Sequence, residues 1–419
     1  MSNFNSCERT IAKILSKFPF IKQIVKYAYS RLVYFGAQKK DKYQSLTELQ
    51  SYVHSRYNSF LGYYDKSPMN IQGLVLACLT EQSSKQRPSA AKAIELGIFT
   101  GTKLLFKTQV KSYNWQQGCR AHWLSDDEFI FNDFDPEAQS YVARVFSVSK
   151  TAEINRYAFA VQDSFQDEYF ISLNYRRLMA LRPDYGYRNL PVSDAEQLAH
   201  LKNDGLWYVN IQTGESRLLV SIQQACQLKV LSDFDGAQHK FNHVLISPNG
   251  QQLIFMHRFL SGKRRTDRLL LYDMPTKKLN LLADFGMVSH CFWADDFTIL
   301  GYMRGPENVD AYWLINTKSG EFSRLPNNAL QGYGDGHPHV YGDWFVTDTY
   351  PDKARMQHLL LCNWKTGAVK ELGQFFHGFD FDGESRCDLH PRFSMDGKKV
   401  FFDSVYTGQR QLYSIVVGG

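Results

Sequence analysis

The sequence predicts an all-β chain folded as a seven-bladed β-propeller, preceded by a short basic α-helical extension. Three observations carry that expectation. Four histidines, His243, His290, His339 and His390, open successive apolar segments 47, 49 and 51 residues apart, about the period of four-stranded propeller blades. Each segment leads into turn chemistry, such as Ser-Pro-Asn-Gly at 247–250 or Ser-Met-Asp-Gly at 394–397, and then into strand-like runs ending in Tyr or Trp. Aromatic residues form 15% of the chain, which suits flat sheets packed face to face. A β-sandwich carries no such self-similarity.

Residues 1–58 read as the extension. Residues 1–42 hold nine Lys or Arg against Glu8 and Asp41, a net +7, which leaves the rest of this +6 chain at −1. Ile11, Ile14, Leu15, Phe18, Ile21, Ile24, Val25 and Tyr29 recur there at helical spacing, and Pro19 is expected to divide the pattern into two short amphipathic helices. No apolar run is long enough to span a bilayer, and basic residues interrupt anything resembling a secretory signal. The expectation is a cytoplasmic protein. Residues 1–42 either attach it peripherally to the anionic inner face of a membrane or pack on the propeller rim.

The propeller is expected over residues 59–419. Weaker copies of the repeat occur at 59–108, 118–150 (HWLSDDEFIFNDF, then YVARVFSVSK) and 157–220 (EYFISLNY, then GLWYVNIQTGESRLLV). With the four histidine-led units they make seven. Such a ring directs the first strand of every blade toward a central channel, where ligands commonly bind.

Several chemistries are excluded. The seven cysteines are odd in number, scattered and without a C-x-x-C pair, which argues against a disulfide framework or thiolate zinc site and favours a reducing compartment. No G-x-S-x-G elbow is present, and the Gly97–Lys103 stretch has the wrong spacing for a phosphate loop. Nucleic acid is not an expected partner, because basic residues interleaved with aromatics occur only at the N-terminus.

The histidines carry the functional signal. His337 and His339 form a His-x-His pair, which on an extended segment puts both rings on one face, about 6 to 7 Å apart. His290 from the neighbouring blade would supply a third neutral imidazole and leave positions open for water or a substrate oxygen, an arrangement suited to Mn, Fe, Zn or Ni. Asp335 is placed to be a further ligand or to orient a ring. His390 reads as a structural hydrogen bonder.

The seven repeats, the His before Ser-Pro-Asn-Gly at His243, SHCFWADD at His290, GHPH at 336–339 and HPRFSMDGKKVFFDS at 390–404 together resemble the oligogalacturonate lyase group of propellers, and more broadly the ulvan lyases. The resemblance spans residues 59–417 and is strongest from 241 onward. It implies a carbon–oxygen lyase acting on an acidic, uronic-acid-containing oligosaccharide or polysaccharide by metal-assisted β-elimination. A manganese-type ion on His290, His337 and His339 would bind the uronate carboxylate, and His243 would remove the C5 proton. The glutamine ligand of that group is matched here by Gly334, so that Gln331 or Asp335 would have to substitute.

Arg258 and Arg392 are the arginines expected nearest the channel, Arg258 to stabilise the developing enolate and Arg392 to bind substrate. Two polar loops add candidate sugar contacts. Asn114–Trp123 offers Gln116, Gln117, Arg120 and His122. Arg182–Arg188 offers Arg182 and Arg188 for charge, with Tyr185 and Tyr187 for stacking. Two other classes stay open: a membrane-associated cytoplasmic enzyme of bacterial surface or capsular polysaccharide biosynthesis, such as a sugar transferase, and a non-catalytic propeller scaffold.

Overall fold

The computed structural model describes residues 19–53, 57–234 and 236–417. Seven antiparallel sheets follow one another along the chain, at residues 58–110, 122–157, 161–221, 238–286, 288–324, 339–376 and 392–416. They are the blades of a β-propeller, numbered one to seven here. In each, the first strand lies innermost and the meander runs outward.

The chain's two ends share a blade. Blade seven supplies only three strands of its own, and Leu49–Ser51 pairs with Gln411–Val416 as its outermost strand. Tyr43–Ser45 adds a fifth strand to blade six. The stretch read as a helical extension therefore contributes two strands to the propeller, and the pairing at Leu49–Ser51 closes the ring.

Helix α1 (Pro19–Ala37) begins at the proline expected to divide two helices; the first of those two falls on residues 1–18, which lie outside the described residues. Proline costs little there, since the first N–H of a helix has no intrahelical partner. Three short helices interrupt the meander. α2 (Tyr175–Leu181) and α3 (Ala195–Ala199) lie in blade three's long second connection, capped by Asn174 and Asp194. α4 (Ile222–Leu228), capped by Ser221, leads into blade four.

Blades are joined by side chains as well as by apolar packing. On the second strand of blade two, Asn132 accepts the Val161 N–H at 2.6 Å and donates to the Val161 carbonyl at 2.8 Å, fixing the inner strand of blade three. Asp348 of blade six accepts the His390 N–H at 3.0 Å. Asp403 of blade seven accepts the N–H groups of Leu61 and Gly62 at 3.2 and 2.9 Å, so one carboxylate bridges the last blade to the first. It also pairs with the fully buried Arg392 at 3.2 Å.

Removing that carboxylate leaves Arg392 without its counter-charge and two N–H groups without acceptors. Asp403→Ala is expected to destabilise the fold by about 3–5 kcal/mol, read as a lower midpoint in urea. An unchanged midpoint would show that the bridge is not what closes the ring.

Candidate functional site

A turn-based count shows which residues reach the centre. In blades two, four, five and seven the first hairpin is closed by Leu124, Ser247, Ala294 and Ser394, whose N–H groups bond across the turn. In blade six the corresponding residue is Tyr341, paired with Trp344. Four residues before these stand Arg120, His243, His290, His390 and His337. Four of the five blades thus present a histidine at one level.

Their rings touch in sequence. Centroids lie 5.2 Å apart for His243 and His290, 4.0 Å for His290 and His337, and 4.3 Å for His337 and His390. His243 and His390 both have positive φ, +51° and +44°, a strained region for residues with a Cβ. His339 is not among them. It lies between Phe292 and Phe393, where its Nδ1 accepts the Phe393 N–H at 3.3 Å. The inner strand begins only at His339, so His337 sits in the irregular segment before it and the pair is not held on one face as an ideal strand would hold it.

Carboxylates orient the cluster. Asp348 accepts from both the backbone N–H and Nδ1 of His337, each at 2.8 Å. Asp335 lies 3.3 Å from His290 Nδ1 and accepts the Ser289 hydroxyl at 2.5 Å. With Nδ1 engaged, each ring has Nε2 left for other work. Asp388 is held by Arg386 through contacts of 2.7 to 2.9 Å.

The electrostatics separate the four rings. Burial pushes the His243 pKa well down, and the charges of His290, Arg258 and Arg182 push it the same way. Burial likewise lowers His390 and His290, each helped by His337. Burial opposes charge on His337 too, but Asp348, Asp388 and Asp335 outweigh it and raise its pKa. Asp388 stays far below the usual carboxylate range because Arg386, His337 and His390 overcome its burial.

A loop of blade one, residues 61–68, crosses the channel beside the histidines. Gly62, at φ +106°, passes so close to blade two that a Cβ there would meet Gly118 N at 2.4 Å. The Tyr63 hydroxyl then hydrogen-bonds His243 Nδ1, and the Tyr64 hydroxyl donates to the Cys291 carbonyl at 2.9 Å. Asp65 takes a bidentate pair from Arg120 at 2.6 and 2.9 Å. Lys66 pairs with Asp163. Nothing in composition or periodicity marked this LGYYDKSP loop, although its glycine and paired tyrosines were a signal in hindsight.

The remaining expected residues divide in two. Arg182 stacks on Tyr185, 4.4 Å from guanidinium to ring centroid, and Tyr185 in turn meets Tyr63 and His243, so the Arg182–Arg188 loop does reach the cluster. Arg258 is buried beside Asp267, with Nη1 lacking a protein partner. Gln117 is buried behind the crossing loop, its Oε1 likewise unpartnered. Other candidates are engaged internally. His122 bonds the Arg120 carbonyl and Ser164. Tyr187 stacks on Tyr175 and accepts from Asn132. Arg392 serves the blade closure, and Arg120 the Asp65 pair. Sequence reasoning missed Lys240, three residues before His243. Burial, aided by Arg258 and Arg182, pushes its pKa down to about 7.

The residues fit a divalent ion. His337, Asp388 and His390 bring ligand atoms within 4.8 Å of one another, His390 Nε2 is buried without a partner, and the nitrogen and carboxylate donors suit Mn, Fe, Zn or Ni. A second group, Cys226, His239 and His257, also converges, but its hydrogen bonds are already complete. Arg268, which can only donate, bonds His257 Nδ1 at 2.8 Å, so His257 Nε2 carries the proton shared with His239 Nδ1 at 2.9 Å. Arg268 also ties the Ala225 and Lys229 carbonyls. This group latches α4 to blade four.

No family model and no curated protein matches the sequence. Among solved structures, the chain is similar to an oligogalacturonate lyase in complex with manganese, with TM-score 0.59 and 13% identity over 90% of this chain and 96% of that one. It is also similar to an oligogalacturonate lyase from Vibrio parahaemolyticus, with TM-score 0.58 and 13% identity over 90% and 97% of the two chains. These likenesses establish the fold, the seven-bladed propeller of the oligogalacturonate lyases.

The latch gives a pH prediction. Burial, with Arg268 and Arg177 adding, pushes His239 down to about 4, whereas an unfolded histidine titrates near about 6.5. The unfolded chain therefore takes up the proton first. The latch is at full strength above about pH 6.5 and weakens as pH falls toward about 4. The thermal midpoint of His239→Phe should fall less steeply than wild type between those values, and parallel slopes would refute the assignment.

Proposed function

We propose that this protein is a polysaccharide lyase acting on a uronic-acid-containing glycan by β-elimination. The observation that carries the reading is the convergence of His243, His290, His337 and His390 at one level of the ring, with Arg182 on Tyr185 beside His243 and Arg386 paired with Asp388. The structural similarity to oligogalacturonate lyases supports it.

Elimination takes the C5 proton of a uronate, forms the C4–C5 double bond and breaks the C4–O bond, and the departing oxygen takes up a proton from solvent. His243 is the proposed base. Its burial keeps the ring neutral near neutral pH, as a proton acceptor requires, and Tyr63 fixes its orientation. His337, Asp388 and His390 would hold a divalent ion, manganese for preference, with Asp348 steadying His337 and Asp335 steadying His290 beside them. When bound, that ion would neutralise the uronate carboxylate and so acidify the C5–H. Arg258 has a buried, unpartnered Nη1 suited to the charge that develops on the carboxylate. Arg182 and Arg386, stacked on Tyr185 and Tyr350, offer an acidic glycan both charge and aromatic faces.

Incubation with manganese and uronic-acid oligosaccharides should generate the ultraviolet absorbance of an unsaturated uronate, and prior chelation should abolish it. His243→Gln should lower kcat by roughly 10²- to 10⁴-fold while the protein still retains the metal. Elemental analysis should find about one ion per chain in wild type and His339→Ala, and none in His390→Ala. Failure of metal-loaded wild type to eliminate any uronate glycan would overturn the reading.

A further inference from the structure

Among the described residues, the face of α1 turned away from the propeller has no partner. Val25, Leu32 and Phe35 are exposed, the last two by 71% and 69%, and with exposed Ala28 they recur at the three- and four-residue steps of one helix face. The opposite side is anchored. Tyr34 packs on Phe376 and Phe379, with centroids 5.8 and 5.5 Å apart, and the Arg31 guanidinium lies 4.8 Å over Phe379. Lys39 bonds Gln374, and the Lys42 carbonyl accepts the Phe376 N–H at 2.8 Å. The exposed stripe is thus held at a fixed place on the molecule.

Charge says what would cover it. The sequence sets Lys22, Lys26, Arg31, Lys39, Lys40 and Lys42 in and just after this helix, with Asp41 the one acid among residues 19–42, whereas the chain beyond residue 42 is near neutral. Apolar residues flanked by cations suit the boundary between acyl chains and anionic headgroups, where both are satisfied at once. No described helix is long and apolar enough to cross a membrane, so the contact lies in the interfacial plane. Phe379, on which the helix rests, belongs to the connection that continues through Arg386 and Asp388 to His390. The helix therefore sits on the face where the inner strands begin and the histidines lie.

We propose that α1 docks the propeller on an anionic lipid bilayer, with the mouth of the histidine site on the membrane-facing side. This does not depend on the lyase reading. The full-length protein should co-sediment with vesicles of phosphatidylcholine and phosphatidylglycerol, less with phosphatidylcholine alone, and less as salt rises. Leu32→Asp/Phe35→Asp should lower partitioning by roughly tenfold or more. Both side chains are exposed, so its thermal midpoint should match wild type. Three results would each overturn the proposal: no sedimentation of wild type with either vesicle, equal sedimentation of the variant, or a lipid-free dimer that the variant abolishes.

Discussion

The loop of residues 61–68 is the constraint on which the rest of the centre depends. It leaves blade one and makes a specific contact with each of the other six. Asp65 pairs with Arg120 of blade two, and Lys66 with Asp163 of blade three. Tyr63 bonds His243 of blade four, and Tyr64 bonds the Cys291 carbonyl of blade five. Tyr64 also lies 5.4 Å from the His337 ring beside blade six, and the Gly62 carbonyl accepts from Arg392 of blade seven at 3.2 Å. A ring of blades held only by neighbours could breathe at its centre. One loop tied to all of them fixes the inner strands against a common reference, and the site is preorganised as a result.

That arrangement explains why so many charged groups are buried. An isolated buried guanidinium is costly, whereas one paired with a carboxylate and bonded to backbone carbonyls can be borne. Arg120 has Asp65 and the Gln162 carbonyl. Arg392 has Asp403 and the carbonyls of Gly62 and His390. Arg177 has Asp204 and the carbonyls of Leu198 and His239. These arginines connect segments that no strand pairing connects. Arg120 and Arg392, expected from residue type to contact substrate, are both engaged in these pairs.

The fold was legible because a propeller repeats. Spacing of 47 to 51 residues and turn chemistry identified the ring, and even the weak third unit was found despite its inserted helices. The ring closure by residues 43–51 was not legible, since three-residue strands carry no periodic signal and their pairing partners lie more than 300 residues away. Within the centre, the repeat spacing and the His-x-His pair point to His243, His290 and His337, whose rings do come together. The same cluster takes in His390 and leaves out His339, because the His-x-His spacing predicts one face only for an ideal strand. Counting back four residues from each hairpin selects the converging rings, since a tight turn fixes register more firmly than the irregular segment before an inner strand does.

The same distinction between buried and exposed charge bears on how an acidic ligand would be selected. In the interior Arg120, Arg177, Arg258 and Arg392 are each paired with an acid, so their fields largely cancel at a distance. Arg182 and Arg386, stacked on tyrosine faces, have their neighbours Asp184 and Asp388 but stay partly exposed. Long-range attraction therefore comes mainly from such partly exposed cations and from the basic N-terminal segment, and it is screened by salt. The histidine cluster beyond is short-ranged. Its rings are fixed by Tyr63, Asp335 and Asp348, with spacings of 4 to 5 Å that leave little freedom to adapt. Capture at the entrance would discriminate by charge, while discrimination between one acidic sugar and another must arise from shape at the imidazoles.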